Sequence, residues 1–142
     1  MSDTSAQVHR LEATPREKLM ERVERRFLSG ERATLAQVWL YRGAIVPAHT
    51  HESEQLSYIV DGALRFHLGA DGARELVVRS GEVLVIPSNL PHAAEALEDT
   101  YDLDFFAPRR DDWIAGDDAY LRGGARAPSY DRARDDDADV RR

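Results

Sequence analysis

The sequence contains no cysteine among its 142 residues. Disulfide frameworks, thiolate metal sites and cysteine nucleophiles are therefore excluded together. No apolar run approaches the roughly 20 residues that a membrane-spanning helix requires. The segment Met1 to Arg10 is polar and lacks the apolar stretch of a secretory signal. These absences leave a soluble, cytoplasmic protein as the expectation.

Positive charge is scarce relative to negative charge. The chain has 26 acidic and 19 basic residues, which gives a formal net charge of −7. A nucleic-acid groove needs clustered positive charge, and an anionic membrane surface attracts basic segments, so we expect neither partner. The length suits one domain, and a chain of this size buries roughly 70% of its unfolded surface without a disulfide or zinc staple.

Short strand-forming segments alternate with glycine and proline turns through the middle of the chain. Thr14-Pro15-Arg16-Glu17 predicts a short N-terminal helical turn, and the piece between Gly43 and Pro47 predicts irregular backbone. Strands are predicted over residues 34–41, 55–60, 63–68, 75–79, 82–86, 92–97 and 101–106, with 75–79 paired to 82–86 and Asp61-Gly62 forming a hairpin turn. This pattern is typical of an all-β sandwich or closed barrel.

Composition divides the chain into three parts. We expect an N-terminal arm over residues 1–24, a β-barrel over residues 25–115 and a flexible, charged tail over residues 116–142. The tail is rich in Gly, Ala, Arg and Asp and poor in large apolar side chains, which predicts disorder. Within it, Tyr120-Leu121 is the one pair with enough apolar surface to dock on the barrel.

Three of the five histidines form a pattern that suits a metal ion. His49 and His51 are two residues apart, so on a strand they share a face, and Gln55 has the same parity whereas Glu54 has the opposite one. His92 would arrive from a later strand. Imidazole nitrogens with one oxygen donor suit one divalent transition metal, and zinc, nickel, iron, manganese and copper all stay open. A lone His-x-His pair is more commonly a surface or pocket pair.

The residues around these histidines resemble the two motifs of the cupin superfamily. Gly43-x5-His49-x-His51-x3-Gln55-x6-Gly62 resembles the first motif, and Gly81-x5-Pro87-x-Asn89-x2-His92 resembles the second. The resemblance implies a single-domain cupin, a jelly-roll barrel or double-stranded β-helix, with His49, His51, Gln55 and His92 as metal ligands. Three positions depart from the pattern: Gln55 stands where glutamate is usual, Asn89 where glycine is usual, and Ala96 where asparagine is common. A neutral ligand set leaves the charge of the metal uncompensated, which favours weaker binding and stronger Lewis acidity.

A narrower resemblance lies beyond the second motif. The spacing Asp104-x-Phe106-x3-Arg110 is similar to the small pectin-degradation cupins, which open the ring of unsaturated uronates and also use a glutamine in the metal set. That resemblance implies Asp104, Phe106 and Arg110 as catalytic residues: a proton-transfer group, an apolar face for a sugar ring and a bidentate clamp for a carboxylate. The alternatives are that Asp104 only orients a histidine, Phe106 is core and Arg110 pairs with Glu98, Asp111 or Asp112.

The sequence leaves three functions open. The first is a metal-dependent enzyme that opens or isomerises an unsaturated uronate or a related small, carboxylated sugar acid without redox change. The second is a dioxygenase with a metal held by three histidines, and the third is a cupin that binds a small ligand without turnover. The metal separates the first two, because an oxygenase needs a redox metal. We also expect a homodimer, since an open sheet edge needs to be covered.

Overall fold

The computed structural model describes residues 5–122, and these residues form ten strands. The strands are β1 (Glu17–Met20), β2 (Val23–Ser29), β3 (Thr34–Leu40), β4 (Ile45–His49), β5 (Glu54–Asp61), β6 (Ala63–Leu68), β7 (Arg74–Arg79), β8 (Val83–Ile86), β9 (His92–Ala96) and β10 (Thr100–Ala107). A 3₁₀ turn, Leu11–Ala13, precedes them. A one-turn helix, α1 (Asp111–Ile114), and a second 3₁₀ turn, Ala119–Leu121, follow them.

The strands form two sheets that face each other. The larger sheet has the order β1-β2-β3-β10-β5-β8 and the smaller one the order β4-β9-β6-β7. The pairings of both sheets are antiparallel. This architecture confirms the predicted all-β jelly-roll barrel with a short N-terminal helical turn.

Side-chain alternation along the strands fills the space between the sheets. On β5, Gln55, Ser57 and Ile59 are buried, whereas Leu56 and Tyr58 face outward. Ile59, Leu64 and Ile86 are each at most 1% exposed and join the two sheets in one apolar core. Burying a large aliphatic side chain of this kind contributes about 1.5–3 kcal/mol.

The hairpin turn predicted at Asp61-Gly62 has a steric basis. Gly62 has a φ of +104°, and a Cβ atom there would lie 2.4 Å from Thr100 Oγ1 and 2.6 Å from the carbonyl oxygen of Asp99. Only glycine satisfies both constraints. Asn89, in place of the usual glycine of the second motif, has a φ of +65°, which agrees with the tolerance of asparagine for left-handed backbone.

Three local predictions were wrong. Strand β7 pairs with β6 and strand β8 with β5, so residues 75–79 and 82–86 belong to different sheets. The piece predicted as irregular contains most of β4. The helical turn lies at Leu11–Ala13, and the residues after Pro15 form β1 because their pairing with β2 outweighs the local capping signal.

Buried ion pairs join the beginning of the barrel to its end. Arg25 on β2 is 1% exposed and contacts Asp118 at 2.9 Å, and Arg122 contacts the other oxygen of Asp118 at 3.0 Å. Both arginines also reach Glu17 on β1. Residues 116–122 therefore pack on the barrel, and the large sheet begins at Glu17, within the segment expected to be an arm. The remainder of the predicted tail, residues 123–142, lies outside the described residues, and the division of the chain into three parts stays a prediction.

No helix in residues 5–122 has the length and apolar character needed to cross a membrane. The cytoplasmic location expected from the sequence stays a prediction.

Candidate metal centre

Three histidines converge where one edge of the small sheet meets the large sheet. His49 ends β4 and His92 begins β9, and these two residues are register partners. Their ring centroids lie 4.4 Å apart, and the centroid of the His51 ring lies 4.8 Å from that of His92. One nitrogen from each ring can be chosen so that all three lie within 4.8 Å of one another. The three side chains thus form a cluster that could hold one metal ion.

The route to this cluster differs from the predicted one. The parity argument placed His49, His51 and Gln55 on one continuous strand, but β4 ends at His49 and β5 begins at Glu54. His51 lies in the connection between the two sheets, and Gln55 belongs to the large sheet. The residues still meet because the chain crosses from one sheet to the other at this point.

Backbone carbonyl groups hold the orientation of all three imidazole rings. Nδ1 of His49 lies 2.8 Å from the carbonyl oxygen of Pro47, Nδ1 of His51 lies 2.9 Å from that of Ser53, and Nδ1 of His92 lies 2.8 Å from that of Leu90. A carbonyl oxygen only accepts hydrogen bonds, so each Nδ1 carries the proton and each Nε2 has a free lone pair. This arrangement fixes the tautomer that a histidine needs for binding a metal through Nε2.

Gln55 adds an oxygen donor to the cluster. Its Oε1 lies 2.9 Å from Nε2 of His51, and its amide nitrogen donates to Ser57 Oγ at 2.8 Å. In this arrangement Oε1 and Nε2 of His51 are both acceptors with no proton between them. The Nε2 of His92 is buried and has no hydrogen-bond partner among the described residues. A divalent cation satisfies all of these lone pairs, so the residues present fit a metal ion.

Burial keeps these imidazoles neutral. It lowers the pKa of His49 and that of His51 to about 4, although the hydrogen bonds to backbone carbonyls oppose this effect. The pKa of His92 is also lowered, again mainly by burial. Neutral imidazole is the form that binds metals, so at neutral pH protons compete little for the three Nε2 atoms.

The side chains predicted as catalytic line the same cavity as His49, Gln55 and His92. Asp104 on β10 is 7% exposed and accepts a hydrogen bond from Ser57 Oγ at 2.7 Å. A continuous hydrogen-bonded path therefore runs from the histidine cluster through Gln55 and Ser57 to the buried carboxyl group of Asp104. Phe106 is 2% exposed and packs edge-on against His51, with 5.5 Å between ring centroids. It belongs to the apolar core as well as to the cavity wall.

Arg110 is buried rather than a surface residue. Its Nε and Nη2 donate to the two carboxylate oxygens of Asp112 at 3.0 and 2.8 Å, and Nη2 also contacts the hydroxyl group of Tyr120. The guanidinium lies over the rings of Phe106 and Trp113, 4.8 and 4.5 Å from their centroids. Nη1 makes no hydrogen bond within residues 5–122, which leaves this nitrogen for a ligand.

The sequence assigned no role at the site to two other residues. Asp102 lines the cavity wall, two residues before Asp104 on the same face of β10. The sequence did carry a signal for it, since an aspartate at an inward position of a strand is rare without a function or a partner. Tyr120 packs against His49 with 5.2 Å between ring centroids. The sequence indicated that Tyr120 could dock on the barrel, but not that it would contact a histidine of the cluster.

Comparisons with known proteins agree with this geometry. A family model described as a cupin domain matches residues 38–107. The structure of KdgF from Halomonas sp. is 28% identical, with a TM-score of 0.64, over 72% of this chain and 94% of that chain. An RmlC-like cupin from Shewanella frigidimarina is 25% identical, with a TM-score of 0.68, over 77% of this chain and 96% of that one.

Oxalate decarboxylase from Bacillus subtilis, described with Mn(II) centres, shares the fold. It is 23% identical, with a TM-score of 0.65, over 76% of this chain and 31% of that chain. The search of curated proteins finds no match.

Proposed function

We propose that this chain is a cupin and a metal-dependent enzyme that opens or isomerises an unsaturated uronate or a related small sugar acid without redox change. The observation that carries the proposal is the path from the histidine cluster through Gln55 and Ser57 to Asp104. It joins a metal-binding set to a buried proton-transfer group in one cavity. The similarity to KdgF from Halomonas sp. supports a small cupin, and the spacing Asp104-x-Phe106-x3-Arg110, which resembles the small pectin-degradation cupins, supports this class of reaction.

In this proposal His49, His51, Gln55 and His92 hold one divalent transition metal ion. The bound metal supplies Lewis acidity toward hydroxyl and ring oxygens of the substrate. The four donors are neutral, so they do not offset the charge of the cation, and its polarising effect on the substrate stays strong.

The remaining residues act on the substrate directly. Asp104 moves a proton to or from a substrate oxygen or carbon. Arg110 binds the substrate carboxylate through the Nη1 side of its guanidinium, while Asp112 holds the opposite side in place. Phe106 offers its ring to an apolar face of the sugar.

Steady-state kinetics on unsaturated monouronates, followed by loss of ultraviolet absorbance, test the proposal. Arg110→Ala should mainly raise KM, because it removes binding that ground state and transition state share. Arg110→Lys should recover only part of that loss, since lysine cannot form the guanidinium fork. Arg109→Ala is the matched control, because Arg109 is 41% exposed and pairs with the surface residue Asp111.

Asp104→Asn should chiefly lower kcat, by a factor of about 10² to 10⁴, because the amide keeps the shape of the side chain but has no ionisable proton. The metal content of Arg110→Ala and that of Asp104→Asn should equal that of the wild type. A wild-type protein that leaves unsaturated uronates unchanged would refute the uronate assignment. Elemental analysis that then finds iron or manganese would direct attention to the dioxygenase alternative.

A further inference from the structure

Asp102 is a buried carboxyl group in apolar surroundings. It is 3% exposed, and its register partners on the neighbouring strands are Val38 on β3 and Ile59 on β5. Its Oδ1 atom has no hydrogen-bond partner among residues 5–122. Burying an unpaired charge in such a place is costly, so a neutral carboxyl group is strongly preferred there.

The partner of Asp102 is another acid. Asp102 and Asp104 are both buried, lie two residues apart on the same face of β10 and line the same cavity. Two neighbouring buried carboxylates offer only acceptors and repel each other, so one member of the pair is favoured to hold a proton. Burial raises the pKa of Asp102, and the neighbouring Asp104 charge raises it further.

The surrounding charges decide which member carries the proton. The charged or titratable groups that line the cavity besides the pair are Arg25, His49, His92 and Arg110. Of these, Arg110 and His92 act on Asp104, which also accepts the Ser57 hydrogen bond, and they moderate the rise in the pKa of Asp104 that burial causes. Asp102 has no such compensation from a cation. Asp102 is therefore the member of the pair that favours the proton more strongly.

We propose that Asp102 is a further proton-transfer residue: with Asp104 it forms a buried acid pair that holds one proton at neutral pH and supplies it to the substrate. The proton of Asp102 passes to Asp104, and Asp104 delivers it to a substrate atom, which leaves both carboxyl groups ionised. The doubly ionised pair then takes one proton back from a substrate hydroxyl group. Each turnover begins and ends with one proton on the pair, so no external acid or base is consumed.

The delivery step rests on the proposed function, but the existence of the pair does not. The distinction matters because an ionised Asp104 without a protonated neighbour could act only as a base. A pair that keeps one proton can act as an acid at neutral pH, as two carboxyl groups that share a site do elsewhere.

Infrared spectroscopy tests the pair without any substrate. The wild type at pH 7 should show the C=O stretch of one neutral carboxylic acid, and Asp102→Asn should lose it because the amide hydrogen bond leaves Asp104 ionised. Asp61→Asn is the matched control, since Asp61 is exposed at the end of β5 and its substitution should leave the band unchanged. A wild-type spectrum without the band, or a band that survives in Asp102→Asn, overturns the proposal.

A second measurement uses only the wild-type protein, so it decides the question even if Asp102→Asn does not fold. Carbon NMR of wild-type protein with labelled aspartate carboxyl groups should show one carboxyl resonance with the chemical shift of the neutral acid at pH 7. Besides the pair, the buried aspartate among residues 5–122 is Asp118. It pairs with two arginines, and their hydrogen bonds and charges lower its pKa against the effect of burial. It therefore cannot be the source of that signal. Absence of a neutral resonance overturns the pair.

Kinetic measurements test whether the pair delivers its proton to the substrate. At pH 7 Asp102→Asn should lower kcat on unsaturated uronates about 10-fold to 100-fold, with KM and metal content unchanged, and its activity should recover as the pH falls and Asp104 regains a proton. A structural role alone would not change the pH profile in this way. If Asp102→Asn has the same pH profile as the wild type, proton delivery by the pair is overturned. If the wild type does not turn over uronates, the proposed function fails, and the spectra still decide whether the pair exists.

Discussion

Metal binding should raise the thermal stability of the wild-type protein by an amount that grows with the logarithm of the free metal concentration. The Nε2 atoms of His49, His51 and His92 converge only in the folded chain, so the ion binds the native state and not the unfolded one. At a free metal concentration 100 times the dissociation constant, this linkage contributes about 2.7 kcal/mol. For a chain of this size, each 1 kcal/mol shifts Tm by about 2–4 °C. The expected rise in Tm is therefore about 5–11 °C.

Circular dichroism melts of chelator-stripped protein, titrated with a single metal, measure this effect. His92→Ala should abolish the rise, because it removes the central imidazole of the cluster. Gln55→Ala should reduce it. Glu54→Ala is the matched control: Glu54 is adjacent in sequence but exposed, so the full rise should remain. Equal rises in the wild type and in His92→Ala, or a loss of the rise in Glu54→Ala, would refute the assignment of the site.

Three further predictions follow from the site and from the outer face of the large sheet. In metal-free protein the depressed pKa values of His49 and His51, about 4 against 6.5, contribute stability that is present above pH 6.5 and lost as the pH falls toward 4, which acid-titrated melts should record. Gln55→Glu should tighten metal binding at least 10-fold, measured by competition with a chelator, because a carboxylate adds charge to the ligand set. The protein should sediment as a homodimer of 16.0 kDa chains, and Phe105→Glu should produce monomers because Phe105 is 42% exposed beside Leu35 and Leu56. Sedimentation of the wild type as a monomer would contradict the last prediction.

The barrel was predictable because its signals are local. Strand-forming segments, the Asp61-Gly62 turn and the two motifs each depend on a few neighbouring residues, and the structure confirms the fold they imply. Strand pairing was less predictable. Residues 75–79 and 82–86 are close in sequence, yet they join different sheets, because in a jelly roll the chain crosses between sheets at such turns.

The histidine cluster was predictable for a partly wrong reason. Spacing placed His49, His51 and Gln55 on one face of a single strand, whereas the structure brings them together from two sheets and a connection. Interactions between distant residues left no local signal at all. The local pairing of Arg110 with Asp112 was among the alternatives that the sequence offered, but the contact of Arg110 with Tyr120 depends on the docking of residues 111–122. The burial of Asp102 between Val38 and Ile59 depends on strand order.

The position of Gln55 links these observations. Where glutamate would place a negative charge directly on the metal, glutamine presents a neutral oxygen and uses its amide nitrogen to donate to Ser57, which donates in turn to Asp104. A carboxylate at position 55 could not make the first of these donations, so Ser57 would have to choose between two acceptors and the path to Asp104 would break. The neutral amide therefore has two effects that a carboxylate cannot combine. It would keep the Lewis acidity of a bound metal high, and it holds the hydrogen-bonded connection from His51 through Ser57 to Asp104.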